Sequence, residues 1–168
     1  GLHSKKHIGE TFYGKFATDL IASSSQQILI YRPLVPIHSL RRLHVIVPPR
    51  GEFDPGLKHW CRRIATLAEQ TACRVSVYGE ERTLRAVEGA WQAERRSLSA
   101  DFHKFTPAEG LAGVAARTRP DHMAVFVLAR RGMPSYHRHL EDIPGQLERY
   151  FSARSWMLIV PAALGSSS

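Results

Sequence analysis

HMAVFVLARRGMPSYHRHLEDIPGQLERYFSARSWMLIVP, residues 122–161, opens on an apolar run with no polar alternation. A strand exposed on one face alternates with period two. A continuous run such as 122–128 reads as a strand covered on both faces, as in a parallel sheet between helix layers. The run empties into a basic loop carrying Arg130, Arg131, His137, Arg138 and His139. A short amphipathic stretch, 143–151, follows, with Pro144 near its start where a helix tolerates proline. A second continuous run, 155–162, closes the unit.

The same alternation extends upstream. RLHVIVPP (42–49) is a strand stopped by two prolines. GLKHWCRRIATLAEQTA (56–72) sets Leu57, Trp60, Cys61, Ile64, Leu67 and Ala68 on one helical face. CRVSVYG (73–79) is a second strand, and residues 80–96 form a second helix with Leu84, Val87 and Trp91 at helical spacing. LSADFHKF (98–105) is a weaker strand. TPAEGLAGVAART (106–118) reads as one helix, with Thr106 as its cap, Pro107 in the first turn and Glu109 completing a capping box. Strict strand–helix alternation predicts an α/β fold: a five-stranded, mostly parallel sheet with helices on both faces, joined by right-handed crossovers. Trp60, Trp91 and Trp156 lie on apolar stripes and read as core.

Residues 1–33 repeat the order of 129–161, at an offset of about 128: basic loop, helix, apolar strand, proline. They read as the closing helix and strand of a truncated first repeat. Residues 34–40 read as a linker, 41–163 as a complete second domain and 164–168 as a disordered tail.

With 168 residues and 43% hydrophobic content the chain can build a packed core. No run approaches the length of a membrane-spanning helix. A net charge of +8 favours anionic partners, yet the aromatic-interleaved motifs of nucleic-acid modules are missing, so no nucleic-acid partner is expected. Cys61 and Cys73 lack the spacing of a disulfide framework or metal site and read as free thiols, with a regulatory disulfide as the alternative. His137 with His139, and His3 with His7, invite a metal reading, but neither pair has a third ligand at a convincing interval. The nine histidines also suit a sensor of pH near neutrality. The sequence contains no P-loop, nucleophile elbow or zinc-protease motif, and Ser135 beside His137 does not make a dyad, so no enzyme is expected. Glu52 and Asp54 read as a turn with Pro55 and Gly56.

The strand–helix alternation resembles a universal stress protein domain. QILIYRP with RRLHVIVPP, and SYHRHLEDIPGQLERYFSARSWMLIVP, are similar to the tandem stress-protein-like region that follows the membrane part of bacterial sodium/proton and related cation/proton antiporters. The likeness covers nearly the whole chain. It implies a universal stress protein-like (adenine nucleotide alpha hydrolase-like) fold. It further implies a regulatory domain on the cytoplasmic side of the inner membrane, partnered by the antiporter part of the same polypeptide and by a second copy of itself. The alternative is a free-standing universal stress protein binding ATP.

Nucleotide-binding members carry an acid just after the first strand, and a spaced glycine triplet followed by Ser or Thr after the fourth. Here Pro48 stands where the acid would be. Gly132 falls on the first glycine and Ser135 on the second. ATP or another adenine nucleotide is what the resemblance implies as ligand, and the chain departs from the binding motif at these positions.

A physical argument for an anion site remains. In open parallel sheets, ligands bind at the carboxyl ends of the strands where strand order reverses. The exits of the first and fourth strands flank that point. They bring Arg50, Arg130, Arg131, Gly132, Ser135 and Arg138 forward as ligand-binding residues, with arginine suited to bidentate phosphate contact. The other reading of these arginines is a solvated basic surface.

Overall fold

The computed structural model describes Asp19 and residues 23–163. The predicted helix of the first repeat falls mainly on residues outside these, as do the tail and His3 and His7. Six strands form one sheet: β1 (Ile28–Arg32), β2 (Arg42–Ile46), β3 (Arg74–Gly79), β4 (Ala100–Lys104), β5 (His122–Val127) and β6 (Ser155–Val160). Their order is β1-β6-β5-β2-β3-β4. The last five are mutually parallel, and β1 runs antiparallel along β6, with Ile30 opposite Leu158. The expectation of five strands is corrected to six in a mixed sheet. β1 is apolar enough that it is not left beside the domain; it covers what would otherwise be an open edge.

Four helices cross between the parallel strands: α1 (Leu57–Thr71), α2 (Glu81–Ala93), α3 (Ala112–Arg117) and α4 (Ile143–Tyr150). Side chains alternate through the sheet. Leu43, Val45, Val75, Val77, Met123 and Val125 meet Trp60, Ile64, Val87 and Trp91 of α1 and α2 in one core. Ile46, Tyr78, Phe126 and Leu158 meet Val114, Ile143, Leu147 and Phe151 on the other face. The indole N–H of Trp91 donates to the Cys61 carbonyl at 2.7 Å, so the largest polar handle in the first core is satisfied. Cys61 and Cys73 are both buried free thiols, and burial pushes the Cys61 thiol strongly up, which keeps it protonated and unreactive.

Two local expectations change. The capping box of Thr106 and Glu109 is present, but it opens only a 3-10 turn, Pro107–Glu109. Gly110 then sits at φ 76°, which breaks the run before α3 begins. The stretch 34–40 is packed rather than loose. Leu40 is fully buried, Val35 and Ile37 lean on the core, and the Leu34 N–H reaches the Ser155 hydroxyl at 2.9 Å.

Gly56, at the start of α1, is required for a different reason. A Cβ there would lie 2.7 Å from the Ala162 nitrogen and 2.8 Å from its carbonyl oxygen, both backbone atoms. Gly56→Ala is expected to destabilise the fold by about 2 kcal/mol through overpacking. Gly89→Ala, in α2 with open space around it, should instead stabilise by up to about 1 kcal/mol. Urea midpoints that move in the same direction for both would contradict this.

Candidate functional site

Strand order reverses between β2 and β5, which lie side by side and point the same way. Their exit loops therefore share one end of the sheet. The loop leaving β2 turns at Arg50, in the left-handed region at φ 66°, into the 3-10 turn Gly51–Phe53. The loop leaving β5 bends at Gly132, φ 86°. Turn hydrogen bonds then run from the Met133 N–H to the Arg130 carbonyl (3.1 Å) and from the Tyr136 N–H to the Met133 carbonyl (3.0 Å).

Asp54 and Ser135 join the two loops. The Ser135 N–H donates to Asp54 Oδ1 at 3.2 Å, and its hydroxyl donates to the other carboxylate oxygen. Both residues are buried, and burial pushes the Asp54 carboxyl upward against the lowering effect of the two Ser135 bonds. The second carboxylate of this loop, Glu52, accepts from the Thr83 hydroxyl at 2.8 Å, which pins the loop to α2.

The six residues expected to bind an anion sit in different surroundings. Arg130 is 8% exposed and its guanidinium is spent on backbone carbonyls: Pro161 (2.9 Å), Ser24 (2.7 Å) and Gln26 (2.7 Å). Carbonyls on both the β6 exit and the approach to β1 attract one cation inward, so it works as a clamp rather than a phosphate ligand. Arg131 is exposed and lies 3.5 Å from Glu141. Arg50, Gly132 and Arg138 are exposed. Ser135 alone sits inside the crevice, and its partner there is an acid. Its hydroxyl faces Asp54 rather than His137.

A cavity of about 40 Å3 lies on the α3/α4 side of this point, floored by Ile46, Pro48 and Phe126 and walled by Phe105, Leu111 and Ile143. Its polar lining is His137, His139 and Gln146. Both ring nitrogens of His137 and Oε1 of Gln146 are buried without a hydrogen-bond partner among the described residues. Burial, with His139 behind it, lowers the His137 pKa. The volume suits ordered water or a very small ligand and is far below the roughly 300 Å3 where pockets for larger organic ligands begin.

A second polar cluster lies on the same face, mid-sheet. His44 is 2% exposed on the central strand. Its Nδ1 is 2.9 Å from the Tyr78 hydroxyl, and its Nε2 is 2.9 Å from His122 Nδ1. Either Tyr78 donates to His44 and His44 to His122, or the direction reverses. Two cationic rings would set N–H against N–H and break the contact. Beside this chain, Tyr78 stacks on His103 at 5.0 Å. His103 pairs with Asp101, which also accepts from the Ser76 hydroxyl and from Arg42 at 3.1 Å. Burial first, then His122 and Arg42, lowers the His44 pKa to about 4.

Asp54 and Gln146 were not legible as site residues, His137 stood out only as half of a candidate metal pair, and nothing marked the pair His44 and His122. The one signal was a histidine in the middle of the apolar run 43–47, where a buried polar group demands a partner. Among the described residues no group of three potential ligands could hold a metal ion, and no helix is long and apolar enough to cross a membrane. No family model, curated protein or solved structure matches the chain.

Proposed function

We propose that the chain is a non-enzymatic regulatory module of a cation/proton antiporter, in which the loop leaving β5 couples a ligand crevice to the segment preceding the domain. The resemblance of the sequence to antiporter tails supplies the class of partner. The observation that carries the coupling is Arg130. The loop that closes the crevice through Ser135 also holds, through Arg130, the carbonyls of Ser24 and Gln26. A ligand that opens or tightens the loop changes the hold on that segment, and through it on whatever stands upstream. Regulation requires only a difference in ligand affinity between two arrangements, typically ~1–3 kcal/mol of coupling. The unpartnered nitrogens of His137 and the Gln146 oxygen are the groups that a ligand would satisfy.

Two measurements test this. In the full polypeptide, Arg130→Ala is expected to alter the pH or cation dependence of transport, and transport identical to wild type would contradict the reading. On the chain itself, a thermal-shift screen with ATP, ADP, AMP, NAD and cyclic dinucleotides identifies the ligand. A ligand at about a hundred times its Kd adds about 2.7 kcal/mol, or roughly 5–10 °C for a chain of this size. The shift should vanish in His137→Ala and persist in Arg131→Ala. The opposite pattern would return the site to the exposed arginines.

A further inference from the structure

The end of the sheet opposite the crevice carries a group of unneutralised cations. All five parallel strands start there. Arg41 and Arg74 stand at strand starts, Arg119 in the loop before β5, Arg117 at the end of α3 and Arg95 just after α2; all are exposed, and none of their side chains makes an ion pair or hydrogen bond among the described residues. Three are locked into adjacent positions by the backbone. The Arg74 N–H donates to the Arg41 carbonyl (3.0 Å), the Arg41 N–H to the Asp121 carbonyl (2.8 Å), and the His122 N–H to the Arg119 carbonyl (2.9 Å). Neighbouring strands are about 4.8 Å apart, so these cations gather at one end of the sheet.

The acids nearby are mostly committed. Asp101 holds Arg42, Glu69 lies 3.7 Å from Arg96, and Glu94 holds Arg62. Asp121 remains, 3.6 Å from His122. At the crevice end Arg131 faces Glu141 and Lys104 faces Glu81, while Arg50 and Arg138 are exposed.

An apolar feature lies on the same end. β1 runs antiparallel to β6, so it finishes where β6 begins. Leu34, just beyond it, is 51% exposed beside Ser155. A group of arginines at one end of the sheet, with an exposed leucine on the same end, fits a lipid surface: the cations meet headgroup phosphates and the leucine enters the acyl boundary. The arginines come from strand starts, loops and one helix end, not from a projecting helix or ribbon of the kind that enters a nucleic-acid groove.

We propose that this face docks the domain on a bilayer rich in anionic phospholipid. The proposal does not depend on the crevice or on any ligand there.

Co-sedimentation of the full chain with vesicles tests it. Binding is expected to vesicles of phosphatidylcholine with about 30% phosphatidylserine and not to phosphatidylcholine alone. It should weaken by at least about tenfold between roughly 0.05 and 0.3 M salt. The triple variant R41Q/R74Q/R119Q should lose at least about tenfold in binding with its melting temperature unchanged. The triple K58Q/R63Q/R82Q removes the same charge from exposed positions on α1 and α2 and should change binding by less than about twofold. L34S should weaken binding without altering its salt slope. Equal binding to neutral vesicles, equal loss in both triple variants, or tighter binding to duplex DNA through the same arginines would each overturn the proposal.

Discussion

Arg130→Ala is expected to destabilise the fold by about 3 kcal/mol and to loosen β1 from the sheet edge. Hydrogen bonds from a charged donor contribute roughly 1.5–3 kcal/mol each. Among the described residues Arg130 makes three of them, to Pro161, Ser24 and Gln26. The contributions are not additive, and the Ser24 and Gln26 carbonyls regain water once the clamp is gone, so the net stays well below the sum. Burial lowers the Arg130 pKa, yet a guanidinium remains protonated at any ordinary pH, so the cost is of lost partners and not of neutralisation. Lysine should recover less than half of the loss, because one ammonium does not reproduce a planar fork that spans carbonyls on two chain segments. Urea unfolding reads the effect, and a loss under about 1 kcal/mol would show that the clamp is incidental.

Acidification is expected to produce a change of similar size with a defined sign. The folded chain holds His44 at a pKa of about 4, against an ordinary value of 6.5. Below pH 6.5 the unfolded chain takes up a proton that the folded chain refuses, so stability is complete above 6.5 and falls as pH drops. One pKa unit corresponds to about 1.4 kcal/mol, so His44 alone removes about 3 kcal/mol by pH 4. His122 and His137, both lowered by burial, add to the loss with the same sign. Asp54, raised by burial, acts the other way, as the folded chain accepts its proton more readily than the unfolded chain does. Arg42, Asp101 and His103 also act on His44, and Asp101 is the one that opposes the lowering. Stability measured by urea unfolding from pH 7 down to about 4.5 should fall steeply in the wild type and much less in His44→Gln. Equal slopes would mean that the buried pair is not what titrates.

The sheet was legible because its physics is local. Continuous apolar runs at 122–128 and 155–162 mark strands buried on both faces, and the helix between them is announced by Pro144. What was not legible depends on which neighbours meet. Arginine in a loop reads the same whether it faces solvent or three carbonyls, so nothing within 129–139 separates Arg130 from Arg131. Two of the carbonyls that capture Arg130 come from residues more than a hundred positions away, and the third from beyond the next helix and strand. Asp54 looked like a turn residue because Pro55 and Gly56 follow it, and its partner Ser135 is supplied by another strand exit. Gly110 was visible, but inside a favourable capping pattern it carried too little weight against the helix. The basic end of the molecule was hidden for the same reason as the clamp: Arg41, Arg74 and Arg119 are scattered in sequence and are gathered only by parallel strand starts.

The claim that one loop joins the crevice to the preceding segment is tested most directly by a double-mutant cycle between Ser135→Ala and Arg130→Ala, read by urea unfolding. The two side chains bond to different partners, and the loop they share links them. A coupling energy of about 1 kcal/mol is expected, with the loss of either residue reducing what the other contributes. Additivity within about 0.3–0.5 kcal/mol, as for independent sites, would contradict the account.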